Sequence, residues 1–138
     1  MPGRTASKDF MEKMGIKPTD VDYIVLHTPN GKFPTKAAKD MGFTAQQVQH
    51  SLVVKYIGNT YSGASPVALT SVLDIAKPGQ KILMTSYGSG AGSDSFLWTV
   101  TDKILERRDL APKTADYVNK KQYIDYGTYV KLRKKLKG

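Results

Sequence analysis

The stretch that follows Pro66 restricts the possible architectures more than any other part of the 138-residue chain. Val67, Ala68, Leu69, Val72, Leu73, Ile75 and Ala76 leave a helix over 67–76 almost without a polar face. A short helix of that kind belongs between layers of structure rather than on an outer surface. Ser65 is expected to cap it, Pro66 suits its first position, and Lys77-Pro-Gly79 ends it.

The flanking segments supply the layers. Val21-Asp-Tyr-Ile-Val-Leu26 contains an unbroken apolar run from Tyr23 to Leu26, the pattern of a strand covered on both faces. Lys81-Ile-Leu-Met-Thr-Ser86 reads as a second such strand, and Phe96-Leu-Trp-Thr-Val-Thr101 alternates. A glycine-rich stretch, Tyr87 to Ser93, joins these two as a wide hairpin. Leu52-Val-Val-Lys-Tyr-Ile57 is β-branched and is expected to be a further strand, broken at Gly58-Asn59. Helices are expected over 6–14, where Phe10, Met11 and Met14 share a face, and from about Pro34 to Met41, with another turn at Thr44–Val48. The alternation of helices and strands is an α/β pattern. We expect a half-domain over 1–102 and a basic extension packing on it over 103–138.

Charge sets the extension apart. The net charge is +9, yet residues 103–138 hold eleven Lys or Arg against four Asp or Glu, a balance of +7. Such a tail holds nucleic acid, an acidic protein or a phosphorylated ligand, or is a solvated face that aids solubility. The chain has no cysteine, which removes disulfides, thiolate metal sites and a cysteine nucleophile of its own. With two histidines, His27 and His50, it has no histidine-rich metal cluster either. No apolar run approaches the ~18 residues of a membrane span, and the start lacks a secretory apolar core. A soluble, cytoplasmic protein is expected.

Ligands in α/β folds gather where strand ends meet loops. Three such junctions carry polar or small residues: His27, Gly58-Asn59, and Gly88-Ser-Gly90. The glycine series is not a dinucleotide fingerprint, because its spacing differs and a strand follows it where a helix should begin. The nucleophile elbow G-x-S-x-G is missing too, since Ser89 lies directly between two glycines. Taken alone, His27 reads first as a satisfied structural residue at the end of a buried strand, a balance that the lysines after it shift toward a site. Lys32 and Lys36, near the entrance to a helix, could meet the phosphates of a long ligand or form an ordinary exposed face. His50 and Lys39 read as surface.

Three motifs, His27-Thr-Pro-Asn-Gly-Lys-Phe-Pro34, Tyr56-Ile-Gly-Asn-Thr-Tyr-Ser-Gly63 and Tyr87-Gly-Ser-Gly-Ala-Gly-Ser-Asp94, together resemble one family. It is the archaeal type of 3-hydroxy-3-methylglutaryl-CoA (HMG-CoA) synthase, of the thiolase superfamily. The resemblance runs from about Phe10 to Lys137 and takes in Ile104-Leu-Glu-Arg-Arg-Asp-Leu-Ala-Pro112 and Tyr123-Ile-Asp-Tyr-Gly-Thr-Tyr129. Everything in the chain looks like the C-terminal half of that enzyme. In the family, the N-terminal half supplies the acetylated cysteine and the glutamate base.

The resemblance implies a thiolase-like half, a mixed and mostly parallel sheet with helices on both faces, with helix 67–76 lying between the two sheets of a complete enzyme. It implies that His27 is the proton donor and acceptor at the carbonyl of acetoacetyl-CoA, a role suited to a pKa near ~6.5. Asn59 and Ser89 match substrate-binding positions, Lys36 another, and Lys32 a CoA-binding lysine. The implied reaction condenses acetyl-CoA with acetoacetyl-CoA and water to HMG-CoA and free CoA, feeding the mevalonate route to isoprenoids. CoA thioesters are substrates, and no metal or prosthetic cofactor is required.

Implied partners are an N-terminal synthase half on another chain, a homo- or hetero-oligomer, and an assembly with an acetoacetyl-CoA thiolase and a zinc-ribbon/OB-fold scaffold protein. The chain is expected not to turn over alone, whether it is a natural split subunit or a truncated enzyme. The Met1-Pro-Gly-Arg start slightly favours the former. Isolated, such a half should expose a large apolar patch. A non-catalytic scaffold or regulatory module with the same fold is the alternative. Nucleic-acid binding through the tail, where Tyr117, Tyr123, Tyr126 and Tyr129 alternate with lysines, is a weaker one.

Overall fold

A computed structural model describes residues 2–88 and 92–135 of the chain. Helix α1 spans Pro2–Met14 and stops at Gly15, whose φ of 65° suits a residue without a side chain. Strand β1 (Tyr23–Leu26) follows, then α2 (Lys32–Asp40), α3 (Ala45–Gln49), α4 (Val54–Ile57) and α5 (Ala64–Leu73). Strands β2 (Lys81–Thr85) and β3 (Ser95–Thr99) come next, and then α6 (Lys103–Arg107), α7 (Thr114–Asn119) and α8 (Tyr126–Leu132).

The three strands form one mixed sheet in the order β1-β2-β3. β1 and β2 are parallel, with Leu26 opposite Thr85, and β3 returns antiparallel, with Ser95 opposite Thr85. Strand residues point alternately to two cores. Ile24, Leu26 and Leu83 face α1, α2 and α3, where Met11, Ala37, Ala38, Met41 and Val48 are buried with them. Val25, Ile82 and Met84 face the other way, onto Ala68, Val72 and Ala76 of the α5 region. Both faces of β1 and β2 are thus covered, which is why these strands read as apolar runs without alternation.

A short chain of hydroxyls crosses the first layer. Ser7 of α1 donates to Thr85 Oγ1 at 2.8 Å, and Thr85 Oγ1 meets Ser95 Oγ at 2.8 Å. These bonds tie the last residue of β2 to the helix above and to the first residue of β3. The Thr85 hydroxyl at that end of the sheet is therefore satisfied within the fold. Thr44 and Gln47 form a capping box on α3, and the Gln47 amide also donates to Pro18 O and Val21 O. That side chain locks α3 over the start of β1.

Two local expectations are corrected. Residues 52–57 are not a strand: Val54–Ile57 is a helical turn, with the Tyr56 and Gly58 N–H groups bonded to Val53 O and Val54 O. The strand preference of β-branched residues depends on context, and this short segment between α3 and α5 closes its hydrogen bonds locally instead of pairing with the sheet. Nor does Ser65 cap α5. The helix begins two residues earlier than expected, at Ala64 with Gly63 at the cap, so Ser65 and Pro66 lie inside its first turn.

The basic segment folds into α6, α7 and α8. Ile104 packs beside the second core, Arg108 donates to Ala76 O, and Thr114 N–H donates to Asp74 Oδ2 at 2.6 Å. A cleft of about 510 Å³ remains between α5 and these helices, lined by Ile57, Val67, Leu73, Ile104, Tyr117 and Val118. On β3, Phe96 and Trp98 point to the α5 side of the sheet and are nearly half exposed. These two rings, on the α5 side of β3, therefore lack the cover that their composition calls for. No helix among the described residues is long and apolar enough to cross a membrane.

Candidate active-site half

Parallel pairing brings the carboxyl ends of β1 and β2 to one edge of the sheet. His27 continues β1 there and the glycine hairpin continues β2. Ser86 N–H bonds Asp94 O, and Gly88 N–H bonds Gly92 O, so the hairpin keeps its pairing up to the glycines. The rings of His27 and Tyr87 meet edge to face, 5.8 Å apart, which joins the two loops directly. Ser89 lies outside the described residues.

The loop containing Asn59 is brought to the same edge by topology. α5 connects two parallel strands and so must run back against them, which puts its first turn at the carboxyl end of β1. Asn59 precedes that turn. Its carboxamide oxygen accepts the Tyr61 N–H at 2.8 Å, holding Tyr61 at a φ of 53° and leaving the amide N–H groups as exposed donors. A second contact ties the region together. A Cβ on Gly31 would stand 3.2 Å from Lys55 Cγ, so the Lys55 stem lies against the loop after His27.

Asn30 supplies the cap of α2, accepting the N–H groups of Lys32 at 2.9 Å and Phe33 at 3.0 Å. Lys32 and Lys36 follow four residues apart on the exposed face of α2. Lys55, whose stem lies against Gly31 just before α2, adds a third cation to this region, carried there by a helical turn rather than a strand. Tyr87 is likewise a site residue visible only once the two loops meet. Among the described residues no cluster of three or more acidic or histidine side chains could hold a metal ion.

Burial holds the His27 imidazole below the ~6.5 usual for histidine, because the charged ring loses hydration at the strand end. At neutral pH the ring is therefore neutral, with one nitrogen as donor and the other as acceptor. An NMR titration of His27 should give a midpoint below ~6.5. The sign for stability follows. The unfolded chain takes up the proton first, so the contribution of His27 is complete above ~6.5 and is lost as the pH falls through the folded midpoint. Stability that rises on acidification over that range would contradict this.

A mixed α/β sheet whose strand ends present a histidine, an asparagine and a glycine hairpin defines the class. Residues 11–100 match the C-terminal domain of 3-oxoacyl-acyl-carrier-protein (ACP) synthase III, and the chain belongs to that thiolase-like family. Over most of its length it is also similar to archaeal hydroxymethylglutaryl-CoA synthases. It is 53% identical to that of Methanobrevibacter smithii over 133 residues, which is 96% of this chain and 39% of the relative. With that of Thermococcus kodakarensis it shares 58% over 130 residues, 94% of this chain and 37% of the relative. The chain therefore spans less than two-fifths of the length of these curated relatives. The solved structure of PksG, an HMG-CoA synthase from Bacillus subtilis, shares the fold, with a TM-score of 0.75 at 20% identity, covering 90% of this chain and 35% of that one. An Aquifex aeolicus 3-oxoacyl-ACP synthase III gives 0.63 at 25% identity, covering 70% and 32%.

Proposed function

We propose that this chain is the C-terminal half of a hydroxymethylglutaryl-CoA synthase active site, completed by an N-terminal half that brings the cysteine nucleophile and the glutamate base. The observation that carries the reading is the joining of His27 and the glycine hairpin at the strand ends through Tyr87, with the Asn59 loop led to the same edge by α5. It has the support of relatives more than half identical over nearly the whole chain.

The division of labour follows from the chemistry. Acetyl-CoA acetylates the cysteine of the complementary half and releases CoA. The glutamate removes a proton from the acetyl methyl group, and the carbanion adds to the ketone carbon of acetoacetyl-CoA. The C=O bond becomes an alkoxide, which takes a proton from the N–H of His27. The Asn59 amide is a second donor to that oxygen, and Ser89 holds the substrate in the same pocket. Water then cleaves the cysteinyl thioester to leave the product carboxylate. Lys32 holds the CoA phosphates and Lys36 meets the substrate, by charge-assisted hydrogen bonds.

The exposed Phe96 and Trp98, on the α5 side of β3, are where the other half covers this chain. The basic segment 103–138 acts as an extension packed on the half-domain and as a contact within an oligomer, which includes a thiolase and a scaffold protein. The product feeds the mevalonate route in the cytoplasm. The isolated chain should release no CoA from acetyl-CoA and acetoacetyl-CoA. Mixing it with the cysteine-bearing half of an archaeal relative should restore release, as read with a thiol reagent. Turnover by the chain alone would overturn the reading.

A further inference from the structure

Asn59 stands in the loop 58–63 that joins α4 to α5. The hydrogen bonds of this loop close on the segment itself. Gly58 N–H donates to Val54 O at 3.0 Å, Tyr61 N–H to Asn59 Oδ1 at 2.8 Å, and Gly63 N–H to Thr60 O at 3.0 Å. Such bonds give the loop its shape, while its place at the strand-end edge depends on how its two stems are held. The α5 stem is fixed by the second core, where Ala68 and Val72 are buried. The α4 stem has less to hold it, because beyond the buried Val53 its Tyr56 is 62% exposed and its Ile57 43%.

The basic segment reaches both stems. At the start of α7 the Thr114 N–H donates to Asp74 Oδ2, and the Thr114 hydroxyl donates to Thr70 Oγ1 at 3.0 Å, which fixes that end on α5. Beyond the other end of α7, the Lys121 ammonium lies over the Tyr56 ring, 5.4 Å from its centre, and over the Tyr123 ring at 5.7 Å. Val118 of α7 lines one cleft with Ile57 and a second with Tyr56. α4, the loop, α5 and α7 thus form a ring of elements, and the contact of Lys121 with Tyr56 closes it. The faces of both tyrosines attract the cation.

We propose that Lys121 is a positioning residue for Asn59: by gripping Tyr56 it holds α4, and with it the carboxamide, at the edge where the substrate oxygen is bound. This rests on the reading of Asn59 as a donor to that oxygen. It gives the basic segment a part in the site that depends on geometry rather than on net charge. The lysine acts on Tyr56 and not on the substrate.

The first readout needs only the chain. Ring currents above aromatic faces should shift the Lys121 ε-methylene protons upfield in the carbon–proton correlation spectrum, and Tyr56→Leu should reduce that shift. The Tyr61 amide, bonded to Asn59, reports on the loop. Its nitrogen–proton signal should move in Lys121→Met and return in Lys121→Arg, because a guanidinium also stacks on aromatic faces. In a synthase completed with the cysteine-bearing half, Lys121→Met should lower kcat/KM for acetoacetyl-CoA about two- to fivefold, the worth of an exposed cation–π contact, and Lys121→Arg should recover it. Tyr56→Leu should cost a similar factor, and the double variant no more than either alone. Losses that multiply would make Lys121 a charge that attracts CoA, and would overturn the proposal. An unshifted ε-methylene signal in the unsubstituted chain overturns it whether or not the variants fold. A Tyr61 signal or a rate left unchanged by Lys121→Met overturns it equally. The reading of function fails by a different result, full condensation activity of a complemented His27→Ala chain, so the two failures are distinguishable.

Discussion

His27→Ala, complemented with the cysteine-bearing half, should lower the rate of CoA release with both substrates by on the order of 10²- to 10⁴-fold, the usual contribution of a positioned general acid. The alkoxide formed in the condensation would then lose its proton donor and keep only the Asn59 amide. The loss should fall on kcat more than on KM, because the bond to the oxygen strengthens as charge develops there. Acetylation of the cysteine, followed separately with acetyl-CoA alone, should persist, since in this scheme His27 acts on the second substrate. The melting profile should barely change, as the ring is only partly buried and its Nδ1 makes no bond that holds the fold. Condensation at the unsubstituted rate would remove His27 from the mechanism.

Leu83→Ala should have the largest effect on stability. Leu83 is fully buried in the middle strand, opposite Ile24 of β1 and Leu97 of β3, and it packs with them under α1, α2 and α3. Its truncation removes the centre of that layer, and neighbours held by strand pairing on both sides collapse into the gap only in part. The cost should be about 2–5 kcal/mol. That is a large share of the ~5–15 kcal/mol typical of a whole domain. With a urea slope of ~1–3 kcal/mol per molar, the midpoint should fall by about 1–2 M at constant slope. A shift of only a few tenths of a molar would mean that this core is not packed as described. The substitution should also loosen the sheet end that carries the site, because Thr85, two residues on, anchors the hydroxyl chain to Ser7 and Ser95.

Much of this was legible in the residues. The apolar runs at Tyr23–Leu26 and Lys81–Thr85 are strands in the structure, and the near absence of a polar face after Pro66 matches a helix packed on the sheet on one side and lining the cleft toward α6 and α7 on the other. Those patterns follow from burial on both faces, a condition that leaves a direct mark on composition. Residues 52–57 show where such reading ends. Val53, Val54 and Ile57 carry the residue types of a strand, yet the chain here satisfies its amides by a local helical turn between α3 and α5. Lys55 is set beside Gly31 only through that turn.

The site divides in the same way. His27, Asn59, Lys32 and Lys36 were named from motifs, whereas Tyr87 as the neighbour of His27 was not. Amino-acid order by itself determined which segments are apolar enough to be buried, where glycine and proline break them, and which polar residues stand at the breaks. Those are local properties, set by side-chain hydration and backbone sterics within a few residues. Only the tertiary structure decided which breaks face one another. That depends on strand order and on the direction of the crossover helix, and these are settled by packing between residues some sixty positions apart, such as Ile24 and Leu83.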